Sequence, residues 1–365
     1  MLEMNEMLKL VVERDGSDLH VSVGKPAVMR LHGTLDVIDP TIITPDDSER
    51  LMREITPPRY QQKIQEEGGA DFAYSYSDQA RFRCAVFRAR GNISIVMRLI
   101  PSRILTFEQL GLPQESILEV LNAHRGLVLV TGPTGSGKTT TLATLMDYIN
   151  ANRAVHIITI EDPLEYIHPH KKAIVTHREL HVDTPSFAFA LRGALRMDPD
   201  VILVGEMRDL ETTEAAITAA ETGHLVFGTL HTISASETIN RIIDQFPVNQ
   251  QEQMRAVISV ALRTIVAQTL LPRATGRGRV AAYEILHNTP AVANLIRERK
   301  TNRIISTMQT SAKQGMVTMD DYLVMLYKQG IITGEICLER AHYPNDMREK
   351  LLSLMGESTE GSEDA

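Results

Sequence analysis

The chain has 365 residues, more than one hydrophobic core usually serves, so two domains with a small appendage are expected. At 43% hydrophobic and 23% charged residues it is globular, and its two cysteines, Cys84 and Cys337, exclude a disulfide framework and a four-cysteine zinc site. A net charge of −8 argues against a general nucleic-acid coat while leaving room for a local basic channel, and no apolar run reaches the roughly 18 residues of a membrane span.

The opening MLEMNEMLKLVVERDG carries acids among its apolar positions and reads as an amphipathic helix, not a signal peptide. DLHVSV (18–23) and AVMRLHGTL (27–35) read as strands joined by a Gly24/Pro26 turn. TPDDSERLMREI (44–55) reads as a helix with Thr44 as N-cap and Pro45 in its first position. DFAYSY (71–76), RFRCAVFRAR (81–90) and NISIVMRLI (92–100) are further strands, the last two forming a hairpin at Gly91-Asn92. The first 99 residues are thus an α+β domain with an antiparallel sheet, and residues 100–117 read as a hinge.

From about residue 118 to 287, apolar strands alternate with long helices, the pattern of a parallel α/β sheet. GLVLVTG (126–132), HIITIED (156–162), VILVGE (201–206) and LVFGTLHT (225–232) are its strands. Each ends in polar or glycine-rich chemistry, and in open parallel sheets ligands bind at that edge. Beyond residue 233 the pattern is mostly helical. Ser234 and Glu237 form a capping box, and Met254, Val257, Ile258, Ala261, Leu262, Ile265 and Val266 follow helical spacing through 249–270. Residues 288–345 are expected to be a helical C-terminal region, and 346–365 an acidic, disordered tail.

GPTGSGKT fits the G-x-x-x-x-G-K-[ST] phosphate loop and lies between a strand and a helix, as that motif requires. Gly132, Pro133, Thr134, Gly135, Ser136, Gly137, Lys138 and Thr139, continued by Thr140, are the candidate nucleotide-binding residues. The glycines let backbone amides face phosphate, Lys138 reaches the β- and γ-phosphates, and the Thr139 hydroxyl is a Mg²⁺ ligand.

ATP hydrolysis also needs a carboxylate in the Mg²⁺ shell and a group that orients the attacking water. Glu206 and Glu161, each ending an apolar strand, are the candidates for both tasks. Glu161 follows Lys138 by 23 positions (161 − 138), about one helix-and-strand unit, so its strand is expected near the phosphate loop. His231 ends the fourth strand and could sense the γ-phosphate, whereas His224 reads as a packing or capping residue. His168 and His170 lack metal-ligand spacing and read as solvated loop residues. Among the first domain's arginines, alternation places Arg81 and Arg83 on one strand face, opposite Cys84 and Val86. Arginines so placed suit nucleic acid or an arginine finger.

Four of these segments together, GPTGSGKTTT, TIEDPLEYIH, DPDVILVGEMRDLET and TAAETGHLVFGTLHT, resemble the Walker A, Asp box, Walker B and His box of the secretion-superfamily ATPases. GSDLHVSVGKPAVMRLHG looks like the start of that family's PAS-like N-terminal domain. The resemblance covers about residues 1–345 and is greatest to the pilus retraction ATPases. It implies a PAS-like domain before a RecA-like P-loop domain, ATP and Mg²⁺ as cofactors, and a cytoplasmic homo-hexamer that works on an inner-membrane pilus platform protein, with a paralogous pilus ATPase as a further partner. Arg83 and Arg98 match the family's arginines that reach the phosphates from the N-terminal domain, and Arg90 is a third candidate. One departure stands out: where retraction ATPases carry a motif close to A-I-R-N-L-I-R-E, this chain reads AVANLIRE (291–298), with Val292 and Ala293 replacing Ile and Arg.

The expected function is a motor for type IV pilus retraction, with an accessory retraction paralogue or an assembly or secretion motor as alternatives. A RecA-like nucleic-acid translocase is disfavoured by the charge of −8 and by an aromatic content of 5%.

Overall fold

The computed structural model describes residues 3–31, 33–76, 80–100 and 103–360, of which 355–360 by backbone alone. The chain divides into two compact units, Met1–Ile104 with Pro163–Ile167, and Leu105–Asp162 with His168–Ala365.

The first unit opens with α1 (Met4–Glu13), whose Met4, Met7, Leu8 and Val11 recur at helical spacing and are buried. β1 (Asp18–Ser22), β2 (Pro26–Leu31) and β3 (Thr34–Ile42) follow, then α2 (Pro45–Ile55), α3 (Pro58–Glu67), β4 (Gly69–Tyr76), β5 (Ala80–Ala89) and β6 (Asn92–Ile100). The stretch 27–35, expected as one strand, is instead split between β2 and β3; Gly33 takes φ +91°, a left-handed conformation that only glycine adopts without strain, and the chain reverses there. His32 lies outside the described residues. Thr44 caps α2 as its sequence predicts, accepting from the Asp47 amide at 3.2 Å. The strands pair antiparallel in the order β3-β2-β1-β6-β5-β4. One face buries Leu19, Val21, Phe82, Cys84, Ile95 and Met97 against α1 and α2; the other carries the alternate, largely polar residues.

The second unit begins with α4 (Phe107–Leu110), inside the stretch 100–117 expected to be a hinge, and α5 (Gln114–Leu121), which starts within it and runs past its end. That stretch is fastened to its own unit from Leu105 onward: Thr144 Oγ1 donates to the Leu105 carbonyl at 2.7 Å, Tyr283 to that of Leu110 at 3.1 Å and Tyr322 to that of Gly111 at 2.5 Å. Next come β7 (Gly126–Thr131), α6 (Lys138–Asn152), β8 (His156–Glu161), β9 (Ile174–Glu179), α7 (Phe187–Ala194), β10 (Val201–Val204), α8 (Leu210–Glu221), β11 (Leu225–Leu230), α9 (Ala235–Asp244) and α10 (Gln251–Ala261). β12 (Leu262–Pro272) and β13 (Arg279–His287) then interrupt the region expected to be helical, before α11 (Pro290–Arg297), α12 (Ile304–Thr310), α13 (Met319–Lys328), α14 (Gly334–Arg340) and α15 (Pro344–Glu360). Residues 346–360, expected to belong to a disordered tail, are helical, and 361–365 lie outside the described residues.

The seven strands run β13-β12-β7-β11-β10-β8-β9, parallel throughout except for the β12/β13 pair. Side chains alternate between two cores: Val128, Val130, Leu203 and Phe227 pack on one face, Leu127, Leu129, Ile202 and Val226 on the other. A sheet covered on both faces reads as continuous apolar runs, which is what these strand sequences are.

Glu284 on β13 sits between two helix starts. It is 1% exposed, accepts from the Ala235 amide of α9 at 2.7 Å and from the Met319 amide of α13 at 3.4 Å, and has His342 Nδ1 at 3.8 Å. Burial raises its pKa above the ordinary carboxylate value, opposed by those amides and by His342.

Candidate active site

β7 delivers the chain to the loop 132–137 and α6 takes it away. Gly132 and Ser136 are buried at the base of the loop, whereas Pro133, Thr134 and Gly135 are exposed at its crown. Gly132 has φ +142°, and a Cβ there would lie 2.2 Å from the Gln268 carbonyl oxygen, so no other residue fits. Gly137, the N-cap of α6 at φ +91°, has no side chain to take the first amides of that helix, so they remain available to an anion. Lys138 folds back over the loop, its Nζ donating to the carbonyls of Gly132 at 2.8 Å and Pro133 at 3.1 Å. Burial lowers the pKa of its ammonium, and the Glu206 carboxylate opposes that shift. Thr139 and Thr140 follow in the first turn of α6, both half-buried.

The acids and the histidine gather on the same sheet edge. β11, β10 and β8 stand one, two and three places from β7. At the usual strand spacing these places are about 5, 10 and 14 Å from the phosphate-loop strand. His231, just past β11, is therefore the nearest of the three, Glu206 beyond β10 the next, and Glu161 at the end of β8 the furthest. This corrects the expectation that Glu161's strand lies near the phosphate loop, because two strands far apart in sequence are inserted between them.

Glu206 and His231 touch: Nε2 lies 2.8 Å from Oε1, and the same oxygen also receives the Arg208 Nε. Burial disfavours ionisation of Glu206, but the hydrogen bonds and charges of Arg208 and His231 outweigh it and hold the carboxyl below its ordinary value. Glu161 is 7% exposed and packs against Gly205, where a Cβ would meet the Glu161 Cα at 3.3 Å. Thr229 of β11 donates to the Gly205 carbonyl at 2.5 Å, tying β11 to the start of the Glu206 segment.

His168 is not the solvated residue its sequence suggests. It is 4% exposed, its amide donates to His177 Nε2 at 3.1 Å and its ring stacks on that of His177. Burial, then the neighbouring His177, pushes its pKa down to about 4. His170 is exposed, and its Nδ1 accepts from the Val175 amide at 3.1 Å. His224 caps the end of α8, its Nδ1 lying 3.0 Å from the Ala219 carbonyl.

On the first unit, Arg30, Asp18, Arg98 and Arg83 are successive cross-strand partners on β2, β1, β6 and β5. Arg98 Nε bonds Asp18 Oδ1 at 2.9 Å, and Arg30 donates to the Gly33 carbonyl at 2.9 Å. Burial raises the Asp18 pKa, but hydrogen bonds from Ser17 and Arg98 overcome it and the net shift is downward. Arg83 is exposed beside Arg98, a like-charge pairing that is unfavourable without an anion to share. Arg90 is exposed at φ +52°, in the turn between β5 and β6.

Sequence reasoning missed two residues of this site. Arg208 was legible in principle, lying two positions past Glu206 in GEMRD. Gln268 carries no motif; its contact with the loop is made from 132 positions away.

A phosphate loop on a doubly covered parallel sheet, with acids and a histidine on the adjoining strand ends, defines a P-loop NTPase. The family described as Type II/IV secretion system protein matches residues 2–335, and the chain belongs to it. Over 345 residues it is 45% identical to the "Type IV pilus retractation ATPase PilT" of Pseudomonas aeruginosa, covering 94% of this chain and 100% of that protein. It is 41% identical to the type IV pilus ATPase PilU of the same organism, over 95% of this chain and 91% of that one. A crystal structure of the pilus retraction motor PilT with bound ADP superposes with a TM-score of 0.90 at 48% identity, covering 96% of this chain and 100% of that one.

Proposed function

We propose that the chain is a homo-hexameric motor that hydrolyses ATP to ADP and phosphate and uses the energy to retract type IV pili. The observation that carries this reading is similarity over the whole length of a pilus retraction ATPase, in sequence and in fold. Lys138 and the loop amides hold the phosphates, Glu206 polarises the attacking water, and His231 reports on the γ-phosphate. Mg²⁺ suits the donor set, which is all oxygen: the Thr139 hydroxyl and phosphate would hold it, with the carboxylates of Glu206 and Glu161 reaching it partly through water. Bound there, it neutralises charge on the β- and γ-phosphates.

Arg83 and Arg98 reach the phosphates across the assembled ring, so the PAS-like unit contributes to hydrolysis, and motion of one unit against the other becomes force on the inner-membrane platform protein. The ring works at the cytoplasmic face of the inner membrane; among the described residues no helix is long and apolar enough to cross it. Complementing a retraction-deficient deletion strain with this chain tests the reading: restored twitching supports it, and a chain that hydrolyses ATP but leaves pili extended overturns it.

A second reading, an accessory retraction ATPase acting with a paralogue, is favoured by the AVANLIRE departure. Val292 and Ala293 lie on the buried side of α11, so a short side chain stands where the retraction motif has arginine. Twitching restored only in the presence of a second retraction ATPase would select this reading.

A further inference from the structure

Gln268 of β12 touches both ends of the phosphate loop. Its backbone oxygen is the atom against which Gly132 is packed, 2.2 Å from where a Cβ would stand. Its side-chain Nε2 donates to the Ser136 carbonyl at 2.7 Å and lies 3.2 Å from where a Gly137 Cβ would be. Gln268 and Ser136 are each 2% exposed, so water does not substitute for this bond.

The geometry of the peptide unit gives the contact its consequence. The Ser136 carbonyl and the Gly137 N–H belong to one planar trans peptide and point in opposite directions. Pulling that carbonyl toward Gln268 turns the Gly137 amide the other way, outward to the mouth of the loop, where phosphate binds. The amide of Gln268 is oriented by the same bond: turned over, its oxygen would face the Ser136 oxygen. Its position in the neighbouring strand explains why the loop motif does not contain it.

We infer that Gln268 is a positioning residue for nucleotide binding, holding the loop in its phosphate-receiving form before any nucleotide arrives. The inference rests on reading residues 132–139 as an ATP cradle. A loop preset in this way favours substrate and transition state alike, so losing the bond weakens binding with little change in the chemical step.

The test uses the full chain, comparing wild type with Gln268→Met, which keeps the volume and removes the donor. The KM for ATP and the Kd for ADP are expected to rise together by roughly fivefold to tenfold, with kcat within about twofold. An unchanged KM and ADP affinity in a variant that melts cooperatively overturns the inference, as does a fall in kcat alone. Should Gln268→Met fail to melt cooperatively, Gln268→Asn, whose amide stops one methylene short of Ser136, is held to the same outcomes. Wild-type protein that neither binds ADP nor hydrolyses ATP would instead remove the underlying reading of the loop.

Discussion

His231 and Glu206 meet across neighbouring strand ends at 2.8 Å, through a carboxylate oxygen that Arg208 also holds. The hydrogen bonds from Arg208 and His231, with the Arg208 charge, outweigh burial and hold Glu206 below its ordinary carboxylate value, ionised and able to accept a proton from water. Glu206→Gln keeps the shape and loses that basicity. It is expected to lower kcat by about 100-fold or more, with ATP still bound in an equilibrium assay. Hydrolysis at the normal rate would remove Glu206 from its role.

Lys138 Nζ donates to the carbonyls of Gly132 and Pro133, at the start of the loop. Because this ammonium is the only side-chain cation of residues 132–139, Lys138→Ala should abolish measurable hydrolysis and weaken nucleotide binding while leaving the melting temperature within a few degrees. A variant that retains half of the wild-type rate would contradict this.

The exposed Arg83 stands beside Arg98, whose charge Asp18 already balances. Arg83→Ala is expected to lower hydrolysis in the assembled ring by a factor of about 10³ if it acts as a finger. Mixing it with Lys138→Ala subunits discriminates the geometry: partial rescue means that the arginine serves a neighbour's nucleotide, and no rescue means that it does not.

Acid stability should depend on His168. Its folded pKa of about 4 lies below the ordinary value of 6.5, because burial disfavours the charged ring and His177 and Lys171 add repulsion against the weaker pull of Asp147. Below pH 6.5 the unfolded chain takes up a proton that the folded chain refuses. Stability is then lost as pH falls toward 4, at up to about 1.4 kcal/mol per pH unit. Urea titrations of wild type and His168→Gln between these limits should show a shallower pH dependence in the variant; parallel curves would refute the assignment.

The phosphate loop and the strands β7, β8, β10 and β11 were legible because both signals are local: a motif eight residues long, and apolar runs bounded by turns. β12 was not. Its residues, LRTIVAQTLLP, continue the apolar spacing of α10, and a strand buried on both faces has no alternation to betray it. Misreading it also hid Gln268. The placement of Glu161 failed for a different reason: sequence separation does not reveal that β10 and β11, later in the chain, insert between β8 and β7. His168 looked solvated because its neighbours in HPHKK are polar, whereas tertiary contacts, that with His177 among them, enclose it.

Glu284 gives the motor a mechanical constraint. Its two oxygens start α9, four residues after His231, and α13, which opens the last group of helices. Hydrogen bonds tolerate only a few tenths of an ångström of slack before they weaken. The two helix starts therefore behave like axles on a single pin. A shift of either helix start strains the hydrogen bond by which this one side chain of β13 holds the other.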